Sequence, residues 1–187
     1  MPILSTARTP RVMLVGQAPG KAELGQRRPF AGRAGKTLFR WLERAGLDED
    51  AARRHIYIAA ITRCYPGPSP TGRGDRVPSP RERELCSGWL DAELQLIRPV
   101  LIIPVGRLAI DRIVGARPLE DVVGLAHLVR LGGRESRAIP LPHPSGASSW
   151  PNLTGNSALL DRALGLLRTA LEELRLAGAP LPARRMA

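Results

Sequence analysis

Apolar and polar residues alternate along this chain in two rhythms. Four short runs are apolar almost throughout: 12–15, 55–61, 100–105 and 137–141. They predict strands, the first extending over about 11–16, and continuous apolarity marks strands covered on both faces. Between and after them the spacing is helical. Leu38, Trp41, Leu42 and Ala45 fall at i, i+3, i+4 and i+7 in a helix predicted over 34–45, with Gly46 where a left-handed cap belongs. Ser79-Pro80-Arg81-Glu82 forms a capping box with proline at the first helical position, opening a helix that runs to about 97. A short helix is predicted at 107–114, stopping at Gly115. The last covers about 157–175, its stripe made of Leu160, Ala163, Leu164, Leu167, Leu171 and Leu174. Residues 116–136 read as a small excursion with a hairpin. Strands alternating with helices predict an α/β fold with a parallel sheet covered on both faces.

Residues 63–80 break the rhythm. This loop, rich in Pro, Gly, Ser and Arg, exceeds an ordinary connection, and such loops are functional or disordered. The ends, 1–10 and 178–187, read as disordered tails. The 187 residues suit one domain. Their formal charge of +11 comes almost wholly from arginine, Lys21 and Lys36 being the only lysines. A GC-rich genome inflates arginine; a polyanionic partner such as nucleic acid is the other explanation. Two cysteines, Cys64 and Cys86, are too few for a disulfide scaffold or a four-cysteine metal site. Without an 18-residue apolar run or a signal-peptide core, a cytoplasmic, non-membrane protein is expected, and most simply a monomer.

The chemistry concentrates in residues 12–39, V-M-L-V-G-Q-A-P-G-K-A-E-L-G-Q-R-R-P-F-A-G-R-A-G-K-T-L-F. A strand ends at Gly16, and Pro19 and Gly20 force a turn where an open α/β sheet binds ligands. Glu23 is the only carboxylate of the loop. Arg28-Pro29-Phe30 follows, among three glycines (25, 32 and 35) that let backbone approach closely. Near the other end, His143 opens H-P-S-G-A-S-S-W at a strand terminus. Gly35-Lys36-Thr37 ends like a phosphate-binding loop. Phe30 stands where that loop needs glycine and no strand leads into it, so nucleotide hydrolysis is set aside.

These two motifs resemble those of the uracil-DNA glycosylase superfamily, most closely its iron–sulfur branch, family 4. That branch carries G-E-x-P-G-x-x-E-D, then G-R-P-F-x-G-x-A-G, and later H-P-A-Y-L. The resemblance extends over about residues 11–175. It implies a three-layer α/β/α sandwich with a central four-stranded parallel sheet. It also implies Glu23 as a catalytic carboxylate that orients water or stabilises a sugar cation, and His143 as a neutral donor to the leaving base. By the same resemblance Phe30 stacks on a flipped base, and the Gln17 and Ala18 amides face a base carbonyl. Ser145, Gly146 and Ser148 would hold phosphates. A solvated glutamate, a core phenylalanine and a structural histidine are the alternatives for the individual residues.

The chain also departs from the pattern. Ala18 replaces the catalytic Asp of family 1, and Ala60 stands where families 1 and 4 place a base-reading Asn. Of the four cluster cysteines only the last two have counterparts, Cys64 and Cys86, with Ser5-Thr6-Ala7-Arg8 upstream. Four thiolates hold such a cluster, so no metal or cofactor is expected and the cysteines read as relics or buried thiols. The 65–80 loop resembles the insertion of the covalently trapping family X, but Asp75 stands near the place of its reactive histidine. Arg63, Arg73 and Arg76 make the loop a candidate DNA contact. Trp150 or Leu153 is the candidate wedge for the gap a flipped base leaves. The function expected is monofunctional excision of uracil from DNA, leaving an abasic site for base-excision repair. Alternatives are a catalytically weak binder of uracil-containing or abasic DNA, and a glycosylase for another deaminated base such as hypoxanthine.

Overall fold

The computed structural model describes residues 3, 5, 7, 10–71, 74–145 and 150–176. Its sheet has five strands in the order β2-β1-β3-β5-β4: β1 Val12–Gly16, β2 Ile56–Ala60, β3 Leu101–Pro104, β4 His127–Leu131 and β5 Arg134–Ala138. Strands β2, β1, β3 and β5 are parallel, as expected, but β5 starts earlier than the predicted 137–141 and shares only Arg137 and Ala138 with it. The fifth, β4, is an antiparallel edge strand hairpinned to β5. It forms the hairpin expected within 116–136, and as an edge strand covered on one side only its residues alternate between half-buried and exposed. A bridge from Val105 to Leu141 continues the β3–β5 pairing past the strand ends.

Six helices complete the described fold: α1 Lys21–Gln26, α2 Arg33–Arg44, α3 Glu49–His55, α4 Pro80–Ile97, α5 Arg107–Ile113 and α6 Asn156–Glu173. The pleat of the central strands sorts the core into two layers. Val12 and Leu14 of β1 pack with Leu38 and Leu42 of α2 and Leu164 and Leu167 of α6. Met13 and Val15 face the other way, onto Leu90 and Leu94 of α4. The three-layer α/β/α class therefore stands. Gly46 takes its left-handed φ of 90° beyond α2, and Ser79 and Glu82 close the capping box of α4. Helices α1 and α3 are additions to the sequence reading. Both are too short for an apolar stripe, though the Asp48 side chain accepting from Ala51 N–H is an ordinary N-cap.

Two loop expectations change. Within the lead-in expected to be disordered, Ile3 is buried. The 63–80 loop carries a small hairpin, with Pro68 bridged to Asp75 and Arg76 N–H donating to the Gly67 carbonyl.

Candidate active site

Parallel strands leave their carboxyl ends along one edge of the sheet, and a pocket opens there over the ends of β1 and β2. Gly16, Ala18, Pro19, Glu23, Pro29, Phe30, Ala60, Thr62 and Arg63 are among its walls, around about 390 Å³ of free space including the open mouth. The first motif thus supplies most of one wall and the end of β2 the other.

Glu23 is only 8% exposed, unusual for a carboxylate. It is the third residue of α1, whose N-cap is Gly20, and its Oε2 accepts the Gly20 N–H at 2.7 Å. That bond satisfies an orphan donor of the helix start and locks the carboxylate. Among the described residues Oε1 accepts no hydrogen bond, which leaves it available to a water or a substrate. A Cβ on Gly20 would lie 2.7 Å from both Glu23 Oε2 and Asp75 Oδ2. The hairpin of the 63–80 loop thus brings a second carboxylate beside the motif.

Phe30 is held from three sides. Its φ of 53° is left-handed, a strained state for a non-glycine residue. Its ring lies on Gly16, where a Cβ would come within 2.9 Å of Cζ. Its carbonyl lies on Gly35, where a Cβ would come within 1.8 Å. The guanidinium of Arg53 on α3 donates to the Pro29 carbonyl at 2.9 Å and the Phe30 carbonyl at 3.4 Å, and sits 4.3 Å from the Phe39 ring centroid. The sequence reading passed over Arg53, whose partners lie far from it in the chain. Of the glycines expected to permit close approach, Gly35 and Gly32 do so, the latter against Ala22. Gly25 has open space around it.

His143 does not line the pocket. It follows β5 farther along the same edge and rests on Gly106, the residue after the β3–β5 bridge. The Ser145 N–H donates to His143 Nδ1 at 3.2 Å, and Ser145 Oγ lies 3.0 Å from the same nitrogen. An Nδ1 that accepts from a backbone amide places the neutral ring's proton on Nε2. Burial lowers the His143 pKa below its ordinary 6.5, which favours that neutral form. The site can therefore offer an N–H donor at neutral pH. Gln17 also lies outside the pocket walls. Its carbonyl accepts from Thr62 N–H at 3.2 Å, while the Gln17 and Ala18 amides donate to no acceptor among the described residues.

The pocket floor differs from expectation in a useful way. Ala60 lines it and contributes only a methyl. Two residues on, Thr62 lines it as well. This residue, missed by the sequence reading, is 3% exposed and its Oγ1 has no hydrogen-bond partner among the described residues. Such an orphan costs about 1–3 kcal/mol.

The surface DNA contact expected of Arg63 and Arg76 does not fit their geometry. Arg63 is buried and ion-paired with Glu93 of α4, which also accepts from Tyr57 OH at 2.8 Å. Burial and that carboxylate push the Tyr57 pKa up to about 12. Arg76 donates to Pro66 O and both oxygens of Glu82, clamping the loop to the start of α4. The Arg76 hydrogen bonds, with help from Ser79, lower Glu82 to about 2. Exposed cations instead flank the first motif: Lys21, Arg27, Arg28 and Arg33. Arg73, Gly146 and Ser148 lie outside the described residues. Of the two wedge candidates, Trp150 packs against the core, whereas Leu153 is 53% exposed.

Cys64 is exposed and Cys86 half-buried, so neither is the buried thiol expected. Two cysteines in the whole sequence do not fit an iron–sulfur cluster that takes four. No group of three or more His, Cys, Asp or Glu is placed to hold a metal ion among the described residues. No helix there is long and apolar enough to cross a membrane.

Similarity to known proteins agrees with this architecture. A type-4 uracil-DNA glycosylase of Archaeoglobus fulgidus is 33% identical over 147 residues, 76% of this chain and 69% of that protein. One of Thermotoga maritima is 31% identical over 136 residues, 72% of this chain and 65% of the relative. A type-5 uracil-DNA glycosylase of Thermus thermophilus is 32% identical over 112 residues, 54% of this chain and 48% of its own length. The model of the Uracil DNA glycosylase superfamily matches residues 4–168, most of the chain, and the chain belongs to that superfamily.

Proposed function

We propose that this protein is a monofunctional DNA glycosylase that hydrolyses the N-glycosidic bond of deoxyuridine in DNA and leaves an abasic site, the first step of base-excision repair. The observation that carries the proposal is the buried Glu23 carboxylate, fixed by Gly20 N–H in the pocket that Phe30 walls. A uracil rotated out of the helix enters this pocket and stacks on Phe30. As the bond between N1 and C1′ breaks, positive charge builds on the sugar and negative charge on the base. Glu23 Oε1 faces the sugar, stabilising the cation and orienting the water whose oxygen bonds C1′. On this reading the base projects past the pocket wall along the sheet edge, where His143 Nε2–H and the Gln17 and Ala18 amides donate to its carbonyl as its charge grows. The water's proton leaves with the base. Lys21, Arg27, Arg28 and Arg33 contact the phosphates, and the single domain acts as a monomer.

A second reading has its own observation: Ala18 and Ala60 both line the pocket, so a carboxylate and an amide are missing from it. On that reading the protein binds uracil-containing or abasic DNA with little turnover. Alkali cleavage of single- and double-stranded oligonucleotides bearing uracil, hypoxanthine or xanthine separates the two. The glycosylase reading expects cleavage at uracil, lowered about 10²–10⁴-fold in Glu23→Ala and His143→Ala. Tight binding without cleavage at any base would leave only the second. Cleavage at hypoxanthine alone would shift the substrate, not the chemistry.

A further inference from the structure

The pocket wall holds a hydroxyl that the fold leaves unused. Thr62 lines the pocket, and its buried Oγ1 has no hydrogen-bond partner among the described residues. Its backbone is pinned, with Ile61 N–H donating to the Gly16 carbonyl at 3.0 Å and Thr62 N–H to the Gln17 carbonyl at 3.2 Å. These two bonds tie the chain just beyond β2 to the end of β1, which holds the Thr62 backbone in place. Ala60 lines the same pocket and contributes only a methyl, so it leaves room and offers no competing polar group.

Buried polar groups in native proteins are almost always satisfied, and one that is not asks what satisfies it. We propose that Thr62 Oγ1 reads the polar edge of the extruded base, as the specificity-determining group that stands in for the missing amide at position 60. The proposal rests on the glycosylase reading above and names how its pocket recognises substrate. A hydroxyl has one rotatable donor and two lone pairs. It can donate to a ring carbonyl or accept from the adjacent ring N–H, the lactam edge common to uracil, hypoxanthine and xanthine. Unlike a bidentate amide it does not fix both polarities at once, so it discriminates weakly among those bases.

Thr62→Val removes the hydroxyl and keeps the shape; Thr62→Ser keeps the hydroxyl. Binding of free uracil by calorimetry, melting temperature and single-turnover cleavage would be measured for the wild type and both variants. The expected result has opposite signs. Thr62→Val melts no lower than the wild type, because an orphan hydroxyl is gone. It binds uracil about fivefold to tenfold more weakly, the worth of one hydrogen bond. Thr62→Ser restores binding. Equal uracil affinity in the wild type and Thr62→Val overturns the proposal. So does affinity lost in step with melting temperature and not restored by serine, which would make the hydroxyl structural. A wild type that binds no free uracil overturns it too, whatever the cleavage assay shows. Conversely, uracil binding that depends on Thr62 without cleavage supports this role and removes the glycosylase reading alone.

Discussion

Gly106 and His143 are in direct contact: a Cβ on Gly106 would stand 2.8 Å from His143 Cδ2, beside the nitrogen that carries the ring's proton. Gly106 also has a φ of 82°, which strains any other residue. Gly106→Ala is therefore expected to lose about 1 kcal/mol or more of stability and to displace the imidazole. Cleavage should fall more than the loss of folded protein explains. Gly25→Ala, in α1 with open space around it, is the control and is expected to be neutral or stabilising by about 0.5–1 kcal/mol. Thermal melts paired with single-turnover rates test both. Normal cleavage by folded Gly106→Ala would detach His143 from the reaction.

The tautomer of His143 leads to a pH dependence. Burial lowers its folded pKa below the unfolded value near 6.5. Between the two values the unfolded chain binds more protons, so stability rises with pH there. The contribution is fully present above pH 6.5 and is lost as pH falls through the folded pKa. Protonation would also set an N–H on Nδ1 against the Ser145 N–H that now donates to it. Cleavage should therefore be flat through neutrality and fall on an acid limb below pH 6.5, and that limb should vanish in His143→Gln. An NMR titration of the ring supplies the independent value. A limb that persists in the glutamine variant would belong to another group.

Arg63 and the exposed cations predict different losses. Arg63 and Glu93 form a mostly buried pair, so Arg63→Ala strands a carboxylate and should cost about 3–5 kcal/mol. Lys21 and Arg33 are exposed beside the first motif. Each alanine there should leave the melting temperature nearly unchanged and lower the slope of log affinity against log salt by about 0.7–0.9 per lost phosphate contact. DNA binding titrated at several salt concentrations reads the slope. An unchanged slope in Lys21→Ala and Arg33→Ala would move the DNA path away from this face.

What was legible in the sequence was whatever local chemistry writes. The three central parallel strands announce themselves as buried runs, Gly46 and Ser79 as helix ends, and Glu23, Phe30 and Gly35 as residues of one loop. What escaped depends on partners distant in sequence. Arg63 reads as a DNA contact until Glu93 comes to meet it, and Arg53 draws no notice until its guanidinium reaches the carbonyls of residues 29 and 30. Thr62 is unremarkable in a string of residues, because an unsatisfied hydroxyl shows only when everything around it has been placed. Glycine after a strand is common, and nothing local tells that Gly106 is reserved for a histidine ring.

The exposure of Leu153 makes a final prediction. An enzyme that removes a base from a duplex must fill the gap or let the base fall back, and apolar wedges do this at the expense of unstacking. Trp150 packs against the core and its carbonyl accepts from Leu153 N–H at 3.2 Å and from Asn156 Nδ2 at 3.0 Å. It serves the turn into α6. Leu153 stands on that turn with its side chain in solvent. A single strand has little stacking to restore, so a wedge matters there far less. Leu153→Ala is expected to slow excision from double-stranded uracil DNA about tenfold or more, the value of a few kcal/mol of unstacking only partly offset. Excision from single strands should stay within about twofold, since the variant alters neither the pocket nor the fold. Single-turnover rates on matched substrates give the ratio, and an equal loss on both would exclude Leu153 as the wedge.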